Sequence, residues 1–314
     1  VRAPVKPHEQ LARNVILVRP VGFRYSKETA ASNGFQQDLS APDVQHKVEQ
    51  EFDALIKALT ACGIGLTVLD PKDPSAPDAV FPNNWFSTDE DGRIVLYPMA
   101  TGSRRTERDP GLGVALADLG FENKGTFDLS GWEAQGQALE GTGSMVLDRK
   151  SHTAYAALSP RTSEQVLDAW CKEMQYAPIT FTATMDGTPE GQPIYHTNVL
   201  MSIGERFALI CMEALPDLNE RHHAAAELAK SGRELIQITL GQMHAFAGNI
   251  LQLRSGKGDF IFLSEQAQRS LRPDQVRQLG KHGELVPVAI PTIETIGGGS
   301  VRCMLAENFL PLRS

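Results

Sequence analysis

Short apolar runs, each broken by a polar or glycine-rich turn, alternate along the chain with longer stretches whose apolar residues fall at helical spacing. Phe81-Pro82-Asn83-Asn84-Trp85-Phe86 leads through Asp89-Glu90-Asp91-Gly92 into Ile94-Val95-Leu96-Tyr97. Glu140-Gly141-Thr142-Gly143 leads into Met145-Val146-Leu147, turns at Asp148-Arg149-Lys150 and returns as Ala154-Tyr155-Ala156-Ala157. His196-Thr197-Asn198 opens Val199-Leu200-Met201, which turns at Gly204-Glu205 and returns as Phe207-Ala208-Leu209-Ile210. Gly248-Asn249 opens Ile250-Leu251-Gln252-Leu253, which returns after Ser255-Gly256-Lys257-Gly258 as Phe260-Ile261-Phe262-Leu263. A fifth run, Val301-Arg302-Cys303-Met304-Leu305, reads as a strand whose partner is Val15-Ile16-Leu17-Val18.

Between these pairs, residues 43–62 place Val44, Val48, Phe52, Leu55, Ile56 and Leu59 on one helical face. Residues 163–174 and 219–231 behave likewise, and Leu271-Arg272-Pro273-Asp274-Gln275 reads as a helix start with proline in its first turn. A short apolar strand follows each helix, as at Leu66-Thr67-Val68-Leu69 and Glu284-Leu285-Val286-Pro287-Val288. About five ββαβ units without a linker predict one closed, repeat-built α/β domain over residues 1–314. Arranged about a common axis, the units would bring Asn84, Glu140, His196, Asn249 and Cys303 to equivalent positions around one cavity.

Charge narrows the partners. With 30 Lys+Arg against 38 Asp+Glu the chain carries a net −8, which repels phosphate backbones, so nucleic acid is not expected as a ligand. No apolar run approaches the roughly 18 residues of a membrane span, and no membrane partner is expected. Val1-Arg2-Ala3-Pro4 has no signal-peptide core and lacks the initiating Met, which suggests a trimmed N-terminus. Cys62, Cys171, Cys211 and Cys303 lack zinc-ligand and redox-pair spacing, so a reduced, cytoplasmic protein is expected, with homo-oligomers left open.

Among the cysteines, Cys303 differs: a flexible Gly297-Gly298-Gly299 run precedes it and the cation Arg302 adjoins it, a setting that suits a nucleophilic thiol. His196 is the preferred acid–base partner, able to protonate a leaving amine and then deprotonate a water. Glu140 could hydrogen-bond the imidazole or a substrate nitrogen. Gly141-Thr142-Gly143 lacks the rest of a dinucleotide fingerprint, no phosphate loop is present, and the adjacent His222 and His223 point apart on a helix. Neither a metal nor an organic cofactor is expected.

At these residues the chain resembles the guanidine-modifying (pentein) superfamily: arginine deiminases, dimethylarginine dimethylaminohydrolases, succinylarginine dihydrolases and amidinotransferases. The resemblance spans residues 14–308 and rests on an ordered set. Besides the Phe81, Glu140 and His196 motifs, it includes Ser103-Arg104-Arg105-Thr106-Glu107, Ser159-Pro160-Arg161-Thr162 and Gly298-Gly299-Ser300-Val301-Arg302-Cys303. It implies a five-bladed α/β propeller with Cys303 as nucleophile, His196 as general acid/base and Glu140 at the reacting nitrogen end. It further implies that Arg104 and Arg161 bind the carboxylate of a small amino-acid substrate, with Asp78 as an additional contact.

Two departures bear on the substrate. Relatives acting on arginine typically carry Asp where this chain has Asn84 and often where it has Asn198. A carboxylate matches a guanidinium, whereas an amide offers the donor and acceptor that complement a neutral ureido group. The pair therefore predicts a citrulline hydrolase that releases ornithine, ammonia and CO2 through a covalent Cys303 intermediate. The alternatives are an arginine deiminase, a dimethylarginine hydrolase or a dihydrolase acting on a guanidino substrate, then an amidinotransferase, then a non-catalytic propeller.

Overall fold

The computed structural model describes residues 8–39 and 43–313; the Val1-Arg2-Ala3-Pro4 segment lies outside them. Among the described residues five three-stranded sheets share one plan: the middle strand pairs antiparallel with one neighbour, in four of the sheets the strand before it, and parallel with the strand that returns after the crossover. The first blade holds Phe86–Thr88, Arg93–Leu96 and Gly125–Asp128. The second holds Val146–Asp148, Thr153–Ala157 and Ala177–Phe181. The third holds Met201–Ile203, Phe207–Ile210 and Glu234–Gln237, and the fourth Leu251–Ser255, Gly258–Ser264 and Glu284–Val288. First strands of successive blades face one another about the axis, Val146–Asp148 against Met201–Ile203 and Met201–Ile203 against Leu251–Ser255. This is the repeat-built α/β domain of ββαβ units that the repeats predict, in the five-bladed propeller form that the resemblance implies.

The fifth blade is assembled from both ends of the described chain. Ala306–Asn308 pairs antiparallel with Asn14–Val18, which pairs in parallel with Gly65–Leu69. Ala306–Asn308 also lies against Phe86–Thr88 of the first blade, where the Thr88 hydroxyl donates to the Glu307 carbonyl at 3.0 Å.

Crossover helices cover the sheets with the faces their periodicity predicts. Val44–Ala61 buries Val48, Phe52, Leu55 and Leu59, and Glu164–Met174 buries Val166, Leu167, Trp170, Cys171 and Met174. Leu218–Lys230 starts where Asp217 accepts from the amides of Asn219 and Glu220. Pro273–Gly280 has proline at its first position. Among the described residues no helix is long and apolar enough to cross a membrane.

The polar heads of the units depart from expectation. They do not begin strands: Pro82–Asn84, Gly141–Ser144, Thr197–Leu200 and Val301–Met304 are single helical turns, and the strands start only at Phe86, Val146, Met201 and Ala306. The expected strand over 301–305 is thus a 3-10 turn, and Val199-Leu200 is helical. The cause is crowding at the axis, where the turns stack on each other. A Cβ on Gly141, held at φ +50°, would sit 2.4 Å from the Asn83 carbonyl oxygen. A continuous strand would carry its side chains to the sheet faces instead of inward.

Candidate active site

The head turns converge on a cleft of about 260 Å³ lined by Cys303, His196, Asn84, Arg104, Arg161 and Asp78. Glu140 stands directly behind it, fully buried. Cys303 is only 3% exposed, less than the partial exposure expected of a nucleophile. Its sulfur receives the side-chain amides of two heads: Asn249 Nδ2 donates at 3.2 Å and Asn198 Nδ2 at 3.5 Å. Asn249 Nδ2 also donates to the Asn198 carbonyl at 3.0 Å, fixing one amide against the other.

The glycine run before Cys303 is packed and hydrogen-bonded, not a loose tether. A π-helical turn, Ile293–Gly297, ends in Gly298 at φ +64°, where a Cβ would lie 2.6 Å from Asn33 Nδ2. The Gly298 carbonyl accepts from Tyr195 Oη at 2.6 Å and Asn33 Nδ2 at 3.2 Å, and the Gly297 carbonyl accepts from Gln36 Nε2 at 2.9 Å. Beyond it, Ser300 Oγ donates to Glu294 at 2.6 Å. Arg302 places none of its hydrogen bonds on the sulfur among the described residues. It faces the opposite way, onto the Leu305 carbonyl at 2.8 Å and Glu307 at 2.9 Å.

His196 precedes the turn Thr197–Leu200 and shares a 2.8 Å hydrogen bond between Nε2 and Glu140 Oε2. Of the two partners open to Glu140, the imidazole is the one engaged here. Its other oxygen accepts from the Ala100 amide at 3.0 Å. Burial opposes the charge on Glu140, but Arg161 at 3.5 Å, the His196 bond and Arg104 at 3.7 Å outweigh it and hold the carboxyl below its usual range. Burial lowers His196 to about 4 against the pull of Glu140, with both arginines adding to the decrease. At neutral pH the imidazole is therefore uncharged, Nε2–H donates to the carboxylate, and Nδ1 keeps its lone pair.

Both arginines are deeply buried and heavily committed. Arg104 forks onto Glu107 with Nε–Oε1 3.0 Å and Nη2–Oε2 2.9 Å, donates to Asn84 Oδ1 at 2.7 Å, and reaches the Phe81 carbonyl at 3.3 Å. Arg161 donates to the Thr29 carbonyl at 2.7 Å and Ser32 Oγ at 2.9 Å, with its guanidinium 5.0 Å from the Tyr195 ring centroid. Asn84 is oriented from both ends, since its Nδ2 donates to Asn83 at 3.0 Å.

Three oxygens here lack a donor. Asp78 takes the Thr29 hydroxyl at 3.0 Å on Oδ2 but leaves Oδ1 unpaired. Asn198 Oδ1 and Asn249 Oδ1 are likewise buried without a partner among the described residues. Burial raises the Asp78 pKa, opposed by Arg104 and the Thr29 hydrogen bond. A site with a surplus of acceptors suits a group rich in N–H. No group of three or more His, Cys, Asp or Glu among the described residues is arranged to hold a metal ion.

All eight candidates from the sequence stand in or against this cleft. Asn249 shared their register but had no assigned part. Thr29, Asn33 and Gln36, which line one wall, come from the segment after the first β-strand of the chain and follow no motif; a cover of isolated polar residues has no period to betray it.

The model of a family described as N,N dimethylarginine dimethylhydrolase, eukaryotic, matches residues 19–310. Comparison with individual curated proteins finds no match. Among solved structures, ArgZ, an arginine dihydrolase from the ornithine-ammonia cycle in cyanobacteria, superposes with TM-score 0.74 at 14% identity over 95% of this chain and 41% of that one. Unliganded AgrE gives 0.74 at 15% identity over 96% and 40%. A dimethylarginine dimethylaminohydrolase in an adduct with S-methyl-L-thiocitrulline gives 0.67 at 15% over 95% and 100%. The chain thus spans about two fifths of the length of ArgZ and AgrE, but 99% of the ArgZ N-terminal domain. At these identities the structural likeness is one of fold.

Proposed function

Since the chain belongs to the family described as N,N dimethylarginine dimethylhydrolase, eukaryotic, within the guanidine-modifying pentein superfamily, we propose that it hydrolyses the guanidino group of an arginine-type amino acid in two successive C–N cleavages. The reading with citrulline as the entering substrate gives way to this one, and the ureido group becomes the substrate of the second cleavage. The supporting observation is the surplus of buried acceptors: Asp78 Oδ1, Asn198 Oδ1 and Asn249 Oδ1 await donors, and a guanidinium offers five N–H and no acceptor. The solved arginine dihydrolase and dimethylarginine dimethylaminohydrolase point to the same substrate class. Asn84 and Asn198 keep their significance, because amides also accommodate the neutral ureido product in place for the second round.

In each round the Cys303 thiol gives its proton to His196 and its sulfur attacks the central carbon. The imidazolium then protonates the departing nitrogen, which leaves as ammonia. The neutral imidazole takes a proton from water as hydroxide attacks the S-bound carbon, and collapse breaks the C–S bond. The first round converts guanidine to urea. The second passes through a thiocarbamate to a carbamate, which loses CO2 and leaves the free amine. Glu140 holds the imidazole and stabilises its charged form, while Arg161 receives the substrate carboxylate. Ammonia counted per arginine consumed tests this: two equivalents with ornithine are expected. One equivalent with citrulline, turnover of citrulline alone, or release of dimethylamine from dimethylarginine in preference to ammonia from arginine would each refute it.

A further inference from the structure

The sulfur of Cys303 follows a run with almost no side chains to hold it in place. Gly297 and Gly299 lie against the Phe81 ring, where a Cβ would come within 2.8 Å and 2.9 Å of ring carbons. Bare glycine allows this approach and leaves the backbone with the most freedom to lose. Tyr195, Asn33 and Gln36 grip the carbonyls of Gly298 and Gly297, but the turn that carries the nucleophile starts later, at Ser300. The Ser300 carbonyl accepts from the Cys303 amide at 2.9 Å. A serine in that place ordinarily caps its turn by accepting from an amide within it. Ser300 makes no such cap, and its hydroxyl turns back to Glu294 instead. Glu294 thus closes the glycine run twice: its carbonyl accepts from the Gly298 amide at 3.0 Å, and its Oε1 from Ser300 Oγ at 2.6 Å. The amides that open its π-helical turn, Thr292 and Ile293, are each held by Glu51 at 2.9 Å. Glu294 is only 3% exposed, and the cation that acts on it, Arg269, is paired with Glu265 at 2.8 Å. A buried carboxyl kept without an ion pair is costly to the fold.

We propose that Glu294 is a positioning residue for Cys303: by holding the Ser300 hydroxyl it fixes the turn that presents the sulfur to the Asn198 and Asn249 amides and to the cleft. Neither Glu294 nor Ser300 lines the cleft, so both act through where the sulfur stands. Burial raises the Glu294 pKa; the Ser264 and Ser300 hydroxyls oppose the rise and Glu51 adds to it. An uncharged amide of the same shape is therefore a conservative replacement, since it keeps the acceptor that Ser300 needs. This role rests on the reading of Cys303 as the nucleophile and holds for guanidino and ureido substrates alike.

The test compares the full chain with Glu294→Gln, Glu294→Ala, Ser300→Ala and the double alanine variant. Iodoacetamide alkylation is followed at each cysteine separately by peptide mass spectrometry, and ammonia release from arginine gives kcat and KM. In both single alanine variants Cys303 should be alkylated at least about threefold faster, as the freed turn lifts the sulfur off its two amides, while kcat falls about tenfold or more and KM moves less than about threefold. Cys171 and Cys211, buried in the second and third blades, should keep their wild-type rates throughout, which separates a moved sulfur from a loosened fold. Glu294→Gln should stay within about threefold of the wild type in both measurements, and the double variant should be no worse than the worse single one, since both lesions break one link. Ser300→Ala removes a single hydroxyl and carries the comparison if Glu294→Ala fails to fold. Wild-type alkylation and kcat in Ser300→Ala, faster labelling of Cys171 and Cys211 alongside Cys303, a glutamine variant as impaired as the alanine one, or additive losses in the double variant would overturn the proposal. A wild type that releases no ammonia from arginine refutes the proposed activity alone, because the alkylation rates are read without substrate and still decide the role of Glu294.

Discussion

Cys303 combines near-complete burial with two amide donors on its sulfur, so its reactivity is set by Asn198 and Asn249 and not by solvent. A hydrogen bond to a charged group contributes about 1.5–3 kcal/mol. Asn249→Ala should therefore lower kcat/KM by roughly tenfold to hundredfold and alter the rate of iodoacetamide alkylation at Cys303. An unaltered alkylation rate would remove Asn249 from the control of the thiol. The two arginines should separate by readout. Arg161→Ala should chiefly raise KM, since part of its guanidinium remains available to a substrate carboxylate. Arg104→Ala strands Glu107 without its forked partner, and breaking such a buried pair costs about 3–5 kcal/mol, so urea denaturation should register it before kinetics do. Equal stability losses in both variants would contradict this division.

Within the head turns, two glycines two residues apart face different obstacles. A Cβ at Gly141 meets backbone, 2.4 Å from the Asn83 carbonyl, and the residue sits at φ +50°. A Cβ at Gly143 meets side chains, 2.4 Å from Asn84 Nδ2 and 2.8 Å from His196 Nδ1. Gly143→Ala should thus fold with a thermal midpoint near that of the wild type yet lose most of its turnover, whereas Gly141→Ala should lose stability. Comparable activity in Gly143→Ala and wild type would mean that Asn84 and His196 tolerate displacement. These turns also mark where the sequence becomes hard to read. Hairpins and crossover helices are legible because burial repeats every two or about 3.6 residues along them. A single turn completes no period, so Val199-Leu200 and 301–305 read as strand. The polar heads themselves were legible as a shared register of residue types, which brought Cys303, His196 and Glu140 together before any geometry. What they bond to was not: the commitment of Arg104 to Glu107 and the cover from Thr29 to Gln36 depend on residues distant in the chain or without pattern.

For the molecule as a whole, the buried imidazole ties stability to pH. His196 has a folded pKa of about 4 against 6.5 unperturbed. Between these values the unfolded chain binds a proton that the folded chain refuses, so stability falls as pH drops from 6.5 and levels off below 4. The size is on the order of 3 kcal/mol. Glu107 acts in the opposite sense: burial pushes its carboxyl up to about 7 against Arg104, and its contribution, full below pH 4.5, is lost as pH rises through 7. Comparing wild type with His196→Asn by urea denaturation at several pH values isolates the histidine. The wild type should lose more stability on acidification, and parallel curves would show that His196 accepts a proton readily while folded.

The fifth blade places a further condition on when this chain can act. A ribosome delivers residues in order, and by the time residue 200 has emerged, Glu140 and His196 are both made and their blades can begin to form. The sulfur is still a hundred residues away, and the strand that draws Asn14–Val18 into the ring follows it by only three. Catalytic competence and ring closure therefore arrive almost together, so a nascent or truncated chain that ends before Cys303 has the acid–base machinery but neither nucleophile nor closed wall. On the proposed reading, such fragments would bind no substrate and release no ammonia.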